Sequence, residues 1–480
     1  MNFELPFALS RSPGGKWSGT TLRDPLRCGL AQLPGSVGCG RANKLMTAAA
    51  PPTHIRYAIV LVTTVVAFLM YLDRVCMAEI VKTESFKLQF GFTKEQMGQV
   101  QSAFFFAYAL SQVPAGWLSD RFGARALMAL YIALWSGFTV LTGFATGLTS
   151  LLLWRLGCGI AEAGAYPTSA GLLSRWIPLA VRGTASSVVS FGGRLGGAAA
   201  GALTLAVISY FGNWRWAGWI FGVAGILVAV LFYVVFRERP TEHPWCNAAE
   251  RELINAGVPP ANASTREVRG LPIMSLVRNR SMWMNCLFQW GTNIGWAFLI
   301  TWLPTYLKEV HKVDDRTNVK MVGIVLILGM AGMLTGGWFT DYTTRRFGVR
   351  RGRLIPMVTT RFLAAGAYLI SFAFSEPWLV VAAFALVSFT TDMGIPAVWA
   401  YNQDVGGRHV GTVLGWGNMW GNLGAALTAG LLPWVNTTFD TNGDWHEALM
   451  VCAASFVLSG IAAFGINAED KIVKDEPRAA

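Results

Sequence analysis

Apolar residues in this 480-residue chain gather into runs of about 20, parted by short polar clusters, and each run is long enough to cross a bilayer core as a helix. The runs fall at 57–78, 96–118, 126–146, 149–172, 184–208 and 215–236. After a polar segment they resume at 281–306, 319–340, 354–374, 377–400, 409–434 and 446–467. The pattern predicts an all-α integral membrane protein with twelve transmembrane helices. Gly and Pro inside the runs do not count against it, because membrane helices tolerate both. The expected divisions are a disordered tail at 1–55, a six-helix bundle at 56–236, a linker at 237–280, a second bundle at 281–467 and a short tail at 468–480. Residues 1–45 hold no apolar core for a signal peptide, and Met46 is a candidate for the true start.

The loops carry an orientation signal. Arg121, Arg125, Arg175, Arg182, Arg345, Arg346, Arg350, Arg351, Arg353 and Arg408 lie in alternate loops, and Arg237, Arg239, Arg278 and Arg280 in the linker. By the positive-inside rule both termini and the linker are cytoplasmic, in a multi-pass protein of the cell inner membrane. The halves also repeat. Gly116-Trp-Leu-Ser-Asp120 returns as Gly337-Trp-Phe-Thr-Asp341, and Arg121-Phe-Gly-Ala-Arg125 as Arg346-Phe-Gly-Val-Arg350. Gly183-Thr184 returns as Gly411-Thr412, and Gly193-Arg-Leu-Gly196 as Gly421-Asn-Leu-Gly424. Parallel repeats place a substrate site between the halves, near the midplane.

Composition agrees. Only 14% of residues are charged, against roughly 25% in soluble proteins. The net charge of +12 sits in loops between apolar runs, so it reads as orientation and not as nucleic-acid binding. Seven cysteines show no metal-ligand spacing and no disulfide framework. No phosphate-binding glycine loop stands between a strand and a helix, which argues against ATP drive. No His or Cys cluster, and no paired nucleophile and base, points to an enzyme; no metal or cofactor is expected.

Gly116-x-Leu118-x-Asp120-Arg121-x-Gly123-x-Arg125, with its second copy around Asp341 and Arg346, resembles the signature loop of the major facilitator superfamily. That resemblance implies two pseudo-symmetric six-helix bundles and a latch in which the loop's Asp and Arg hold helices until the carrier changes state. Tyr71-Leu-Asp73-Arg74 and Arg155-x6-Glu162-x4-Pro167 resemble the anion:cation symporter branch, which includes sugar-acid permeases of the hexuronate, galactonate and glucarate type. It implies proton coupling at Glu162 and Asp73 and substrate contact at Arg155.

Charges inside membrane spans are costly and therefore functional candidates. Arg155 and Glu162 stand two helical turns apart on one side, about 10 Å along the axis. Asp73 and Arg74 point about 100° apart, so they face different partners. Arg194, among the small residues Gly192, Gly193, Gly196, Gly197 and Gly201, is either a second carboxylate clamp or the partner of Glu162. A second cation would suit a dicarboxylate. Asp392 is either a further coupling carboxylate or the mate of Arg361. The expected substrate contacts are Arg155, Arg74, Tyr71, Tyr108, Arg194, Gln289, Trp399 and Asn418. Trp399 and Asn418 match permease positions that meet a sugar acid; Asn293, Trp296 and Asn402 are further amide and ring candidates. The expected function is symport of a small organic anion with protons by a monomer in the lipid bilayer. Antiport or export of an organic anion or phosphate ester, and a non-transporting sensor of the same fold, are the alternatives.

Overall fold

The computed structural model describes residues 50–256, 270–440 and 443–472. Residues 1–49 of the predicted tail at 1–55, with Met46, Cys28 and Cys39, lie outside them, as do residues 257–269, 441–442 and 473–480. Among the described residues the chain is helical without strands. The first half comprises α1 (Ile55–Ile80), α2 (Glu84–Phe90), α3 (Lys94–Phe122), α4 (Ala124–Thr142), α5 (Leu148–Glu162), α6 (Ala165–Trp176), α7 (Arg182–Phe211) and α8 (Arg215–Val235). The middle segment carries α9 (Ala248–Asn255) and α10 (Ile273–Arg278). The second half comprises α11 (Arg280–Thr301), α12 (Leu303–Glu309), α13 (Asp315–Ser371), α14 (Pro377–Met393), α15 (Ile395–Val405), α16 (Val410–Phe439) and α17 (His446–Ala463).

Every predicted span is helical, and three are broken. Span 4 parts into α5 and α6, span 7 into α11 and α12, and span 10 into α14 and α15. Proline explains each break. Pro167, Pro304 and Pro396 cannot donate to the carbonyl four residues back, at Ala163, Ile300 and Asp392. Spans 8 and 9 run together as the 57-residue α13, whose chain reverses at Gly348, with φ 79°. The two arms then meet. The Thr343 hydroxyl donates to the Gly352 carbonyl at 2.8 Å, and a Cβ on Gly352 would lie 2.3 Å from Thr344 Cα. Gly123 does the same at the junction of α3 and α4, with φ 95°. The repeated Arg-Phe-Gly thus supplies, in each half, the one residue type that adopts a positive φ freely.

Among the described residues, seven helical stretches are long and apolar enough to cross a membrane: α1, α4, α7, α8, α13, the α14–α15 pair and α17. The others, α3, α5–α6, α11 and α16, carry polar side chains at mid-helix. These are Gln101 and Gln112, Arg155 and Glu162, Asn285, Gln289 and Asn293, and Asn418 and Asn422.

Within the first half α1 packs on α7, α3 on α5 and α4 on α8; within the second α11 packs on α16 and α17, and α13 on α14 and α17. The glycine face of α7 is what lets α1 approach. A Cβ on Gly196 would lie 2.1 Å from the Phe68 carbonyl oxygen. Between halves α3 meets α16, and α7 meets α13 and α15. Leu173 and Val189 share a buried cluster there with Trp399 and Leu414.

The middle segment is tied to the first half. Glu250 of α9 is fully buried against the start of α1. It accepts from the Thr53 hydroxyl, from the backbone N–H of Ile55 at 3.0 Å and Arg56 at 3.1 Å, and from Arg56 Nη1 at 3.1 Å. The residue before α1, His54, gives it no side-chain cap. A carboxylate 195 residues away therefore satisfies the orphan N–H groups of the first turn. Five described cysteines, Cys76, Cys158, Cys246, Cys286 and Cys452, are free and buried.

Candidate functional site

Two copies of one latch join the halves at the end where the repeated loops lie. Asp120, at the end of α3, accepts from Gly411 N–H at 2.9 Å and from Thr412 N–H and hydroxyl, both at 2.7 Å. Asp341 accepts in the same way from Gly183 N–H at 2.9 Å, Thr184 N–H at 2.8 Å and the Thr184 hydroxyl at 2.5 Å. Each carboxylate thus sits at the N-terminus of a helix of the opposite half, α16 or α7. Anions are favoured there because the first N–H groups lack intrahelical partners. Gly116 permits the approach, since a Cβ on it would lie 2.3 Å from the Gly411 carbonyl oxygen.

The arginines of the loop behave differently from the expected latch. Arg121 lies over the rings of Trp117 and Phe122 on its own helix, and Arg346 over Phe347. Arg125 ties its own half together. Its guanidinium donates to the Tyr233 carbonyl at 2.9 and 2.7 Å, while its N–H donates to Glu238 at 3.0 Å. Glu238 also pairs with Arg175. Sequence reasoning missed Asp404, which takes Arg182 and Arg353, both at 2.8 Å. A lone acid ending span 10, opposite loop arginines, was the available signal.

At mid-span the charges pair in an unexpected order. Glu162, fully buried, is held by Arg74, not by Arg155 or Arg194. Arg74 donates from Nε at 3.0 Å and Nη2 at 2.8 Å to one oxygen of Glu162. Its guanidinium lies 4.4 Å from the ring centre of Tyr108 and 4.8 Å from that of Tyr71. Arg155, on the same helix as Glu162, instead reaches Gln101 at 3.1 Å and covers the Phe104 ring. Asp73 is buried and turned the other way, 3.9 Å from where a Cβ on Gly225 of α8 would stand.

The second half closes the ring of polar groups. Arg194 donates to Asp392 of α14 at 2.9 Å and lies over Trp296 at 4.4 Å. Tyr166 meets Trp399 edge-on at 5.0 Å and Tyr71 at 6.2 Å. Asn418 donates to Gln112 at 2.6 Å, across the halves. Gln289 bonds Asn285, which bonds Asn402. Arg74 and Arg194 keep 11% and 18% of their side chains exposed, and Tyr71, Tyr166, Gln289, Trp296 and Asn418 are half-buried. Arg155, Tyr108 and Trp399 are buried beneath them. Of the expected contacts, Trp399, Arg194 and Asn418 touch residues of the opposite half, at Tyr166, Asp392 and Gln112. Tyr166 and Gln112 were not singled out from sequence, although Tyr166 stands within the span 4 motif.

Helices built to cross a membrane, repeated halves latched at one end and paired charges at mid-span define a membrane carrier. The chain belongs to the major facilitator superfamily, whose model matches residues 63–429. It is a transporter and not an enzyme, related to sugar-acid and other anion transporters. Similar proteins include the probable sulfoacetate transporter SauU of Cupriavidus necator, 28% identical over 86% of this chain and 94% of that protein. The probable galactarate/D-glucarate transporter GarP of Escherichia coli is 30% identical over 78% of this chain and 87% of that protein. Among solved structures, the proton:xylose symporter XylE superposes with a TM-score of 0.64 at 15% identity, covering 86% of this chain and 98% of that one. FucP in its outward conformation gives 0.63 at 16%, with the same coverage. These two show the fold.

Proposed function

We propose that this transporter takes up a small organic anion, a sugar acid, in symport with protons, by alternating access of its two bundles across the inner membrane. The bundles are residues 56–236 and 281–467, the latched end and both termini are cytoplasmic, and the working unit is the monomer. The observation that carries the reading is the Arg74–Glu162 pair. A partly exposed guanidinium is occupied by a carboxylate of the protein that is fully buried.

A substrate carboxylate needs the same donors. It takes them once a proton neutralises Glu162, so proton and anion load together. Asp73, buried beside α8, is the second proton site. The amides of Gln289, Asn293 and Asn418 suit sugar hydroxyls. The relatives named for galactarate, D-glucarate, L-galactonate and sulfoacetate support an acid of this size.

The test is counterflow and pH-driven uptake in proteoliposomes, with galactarate, D-glucarate, L-galactonate and sulfoacetate. Flux of at least one acid that accelerates with an inward proton gradient is expected. Flux indifferent to the gradient would favour exchange, and binding without flux would favour a sensor.

A further inference from the structure

Glu162 and Asp392 hold equivalent places in the two halves. Glu162 ends α5 and Asp392 lies next to the end of α14. Each stands two residues before the glycine, Gly164 or Gly394, at which its span breaks, with Pro167 or Pro396 following. Each also lies between two arginines. Around Glu162 these are Arg74 and Arg155, both of its own half. Around Asp392 they are Arg194, from the other half, and Arg361, from its own.

Arg361 is the unusual member. It is fully buried, and its Nη2 donates to the Thr391 carbonyl at 2.6 Å, beside the helix break. Its Nε and Nη1 have no hydrogen-bond partner among the described residues. Buried guanidinium donors left unpaired are costly, so the site favours an arriving carboxylate. Asp392 is within electrostatic reach of it. The oxygen of Asp392 that Arg194 does not hold faces α13, 2.9 Å from where a Cβ on Gly329 would stand. One carboxylate therefore holds a partly exposed cation, Arg194, while a second cation with spare donors, Arg361, is bonded to the carbonyl of the preceding residue and acts on it electrostatically.

We infer that Arg194 is a second anion-binding arm of the transport site, and that Asp392 is its displaceable counter-ion, which turns to Arg361 when a substrate anion takes Arg194. Tyr71 lies beside both arms: Arg74 covers its ring at 4.8 Å, and a Cβ on Gly193, next to Arg194, would stand 3.0 Å from it. A substrate acidic at both ends engages the two arginines at once, and one with a single acidic end engages one. The site therefore selects dianions. Because Arg194 and Asp392 belong to different halves, the same displacement also removes a tie between them.

This inference rests on the reading that the protein carries organic acids, and the test separates the two. Galactarate, with two carboxylates, and L-galactonate, with one, are titrated calorimetrically into the purified full-length protein. Wild type is expected to prefer galactarate by about tenfold or more, the gain from one added charge-assisted contact. Arg194→Gln should weaken galactarate far more than L-galactonate and so erase that preference. Asp392→Asn, which removes the competitor, should tighten galactarate by about tenfold and L-galactonate by less, so that the preference for the dianion widens. Arg194→Lys, which keeps the charge, should keep part of the preference and serves if either neutral variant does not fold. An unchanged preference in the Arg194 variants, or equal weakening of both acids, would make the pair a structural staple and sink the inference alone. Wild type that binds none of galactarate, L-galactonate, D-glucarate and sulfoacetate would overturn the organic-acid reading along with it.

Discussion

Asp120 and Thr412 are joined twice, through the threonine's backbone N–H and its hydroxyl, each 2.7 Å from the same carboxylate oxygen. The pair crosses from one half to the other, and Asp341 with Thr184 repeats it. The superfamily's signature aspartate is thus a helix cap supplied in trans. It holds only while the two halves are closed at this end.

Asp120→Asn keeps the shape but turns an amide toward donors. Losing a charged acceptor costs about 1.5–3 kcal/mol per bond, enough to move the equilibrium toward opening at this end by tenfold or more. Ser186, buried between the halves where Gln403 bonds it at 3.0 Å, reports the opening. In a cysteine-free background, a Ser186→Cys probe should react with a membrane-permeant maleimide faster in the Asp120→Asn protein. Equal labelling would mean that the latch does not govern closure.

Gly116→Ala tests close approach apart from charge. Its Cβ would lie 2.3 Å from backbone oxygen of Gly411, which cannot swing aside as a side chain can. Gly171 is the control, because a Cβ there meets nothing within 4 Å. Gly116→Ala should label at Ser186→Cys like the opened protein and lose most transport, whereas Gly171→Ala should match wild type in both assays.

The spans, the repeat and the loop charges were legible because they depend on local composition. The breaks at Pro167 and Pro396 were not, because both spans read as continuous runs in which Pro is tolerated. The pairings were not legible. Arg155 and Glu162 share a helix face, and sequence spacing joins them. Yet Arg74, 88 residues distant, reaches Glu162 from α1. Which of two arginines holds a carboxylate depends on how α1, α3 and α5 pack, and spacing along one helix carries no information about that. Asp392 likewise chose Arg194 across the halves over Arg361 on its own side. Glu250 as the cap of α1 left no local trace, since its partners lie almost 200 residues earlier.

That cap makes a pH prediction. Burial alone would raise the Glu250 carboxyl. The Thr53 hydroxyl, the N–H groups of Arg56 and Ile55 and the Arg56 charge more than reverse this and hold it below the usual glutamate value. A lowered folded-state value contributes stability above the unfolded value, near 4.3, and loses it as pH falls through the folded one. Glu250→Gln should therefore melt below wild type at pH 7, by about 1–3 kcal/mol in stability. Thermal unfolding in detergent should show the gap narrowing below about pH 4. A gap constant from pH 7 to pH 3.5 would exclude the charged cap.

Arg74 and Arg155 can be ranked. Arg74 places two donors on Glu162 and lies over Tyr71 and Tyr108, which a lysine ammonium cannot reproduce. Arg155 is buried and makes one bond, to a neutral amide. Arg74→Lys should weaken substrate binding about tenfold or more, and Arg155→Lys about threefold or less. The reverse order in calorimetric titrations would return the clamp to Arg155.

Glu162→Gln carries the most mechanism. A symporter must forbid crossing with only proton or only substrate aboard. Under the proposed symport the rule follows from competition for Arg74, whose donors serve Glu162 or a substrate carboxylate but not both charged at once. With Glu162 ionised and no substrate, the Arg74–Glu162 pair is neutral. With substrate on Arg74 and Glu162 still ionised, a buried charge is left unpaired, at a cost of several kcal/mol. A proton on Glu162 removes that charge, so the loaded carrier is neutral again and able to cross. The uncharged amide of the Glu162→Gln variant imitates the protonated form permanently, leaving Arg74 available without a proton. The variant should therefore bind substrate at least as tightly as wild type, with an affinity that no longer improves as pH falls. It should exchange substrate across the membrane in counterflow and fail to accumulate it on a pH gradient, because no proton leaves inside. Asp73→Asn should show a milder form of this defect. If Glu162→Gln still accumulates substrate on a pH gradient at the wild-type level, Glu162 is only the structural partner of Arg74, and coupling belongs to Asp73 or Asp392.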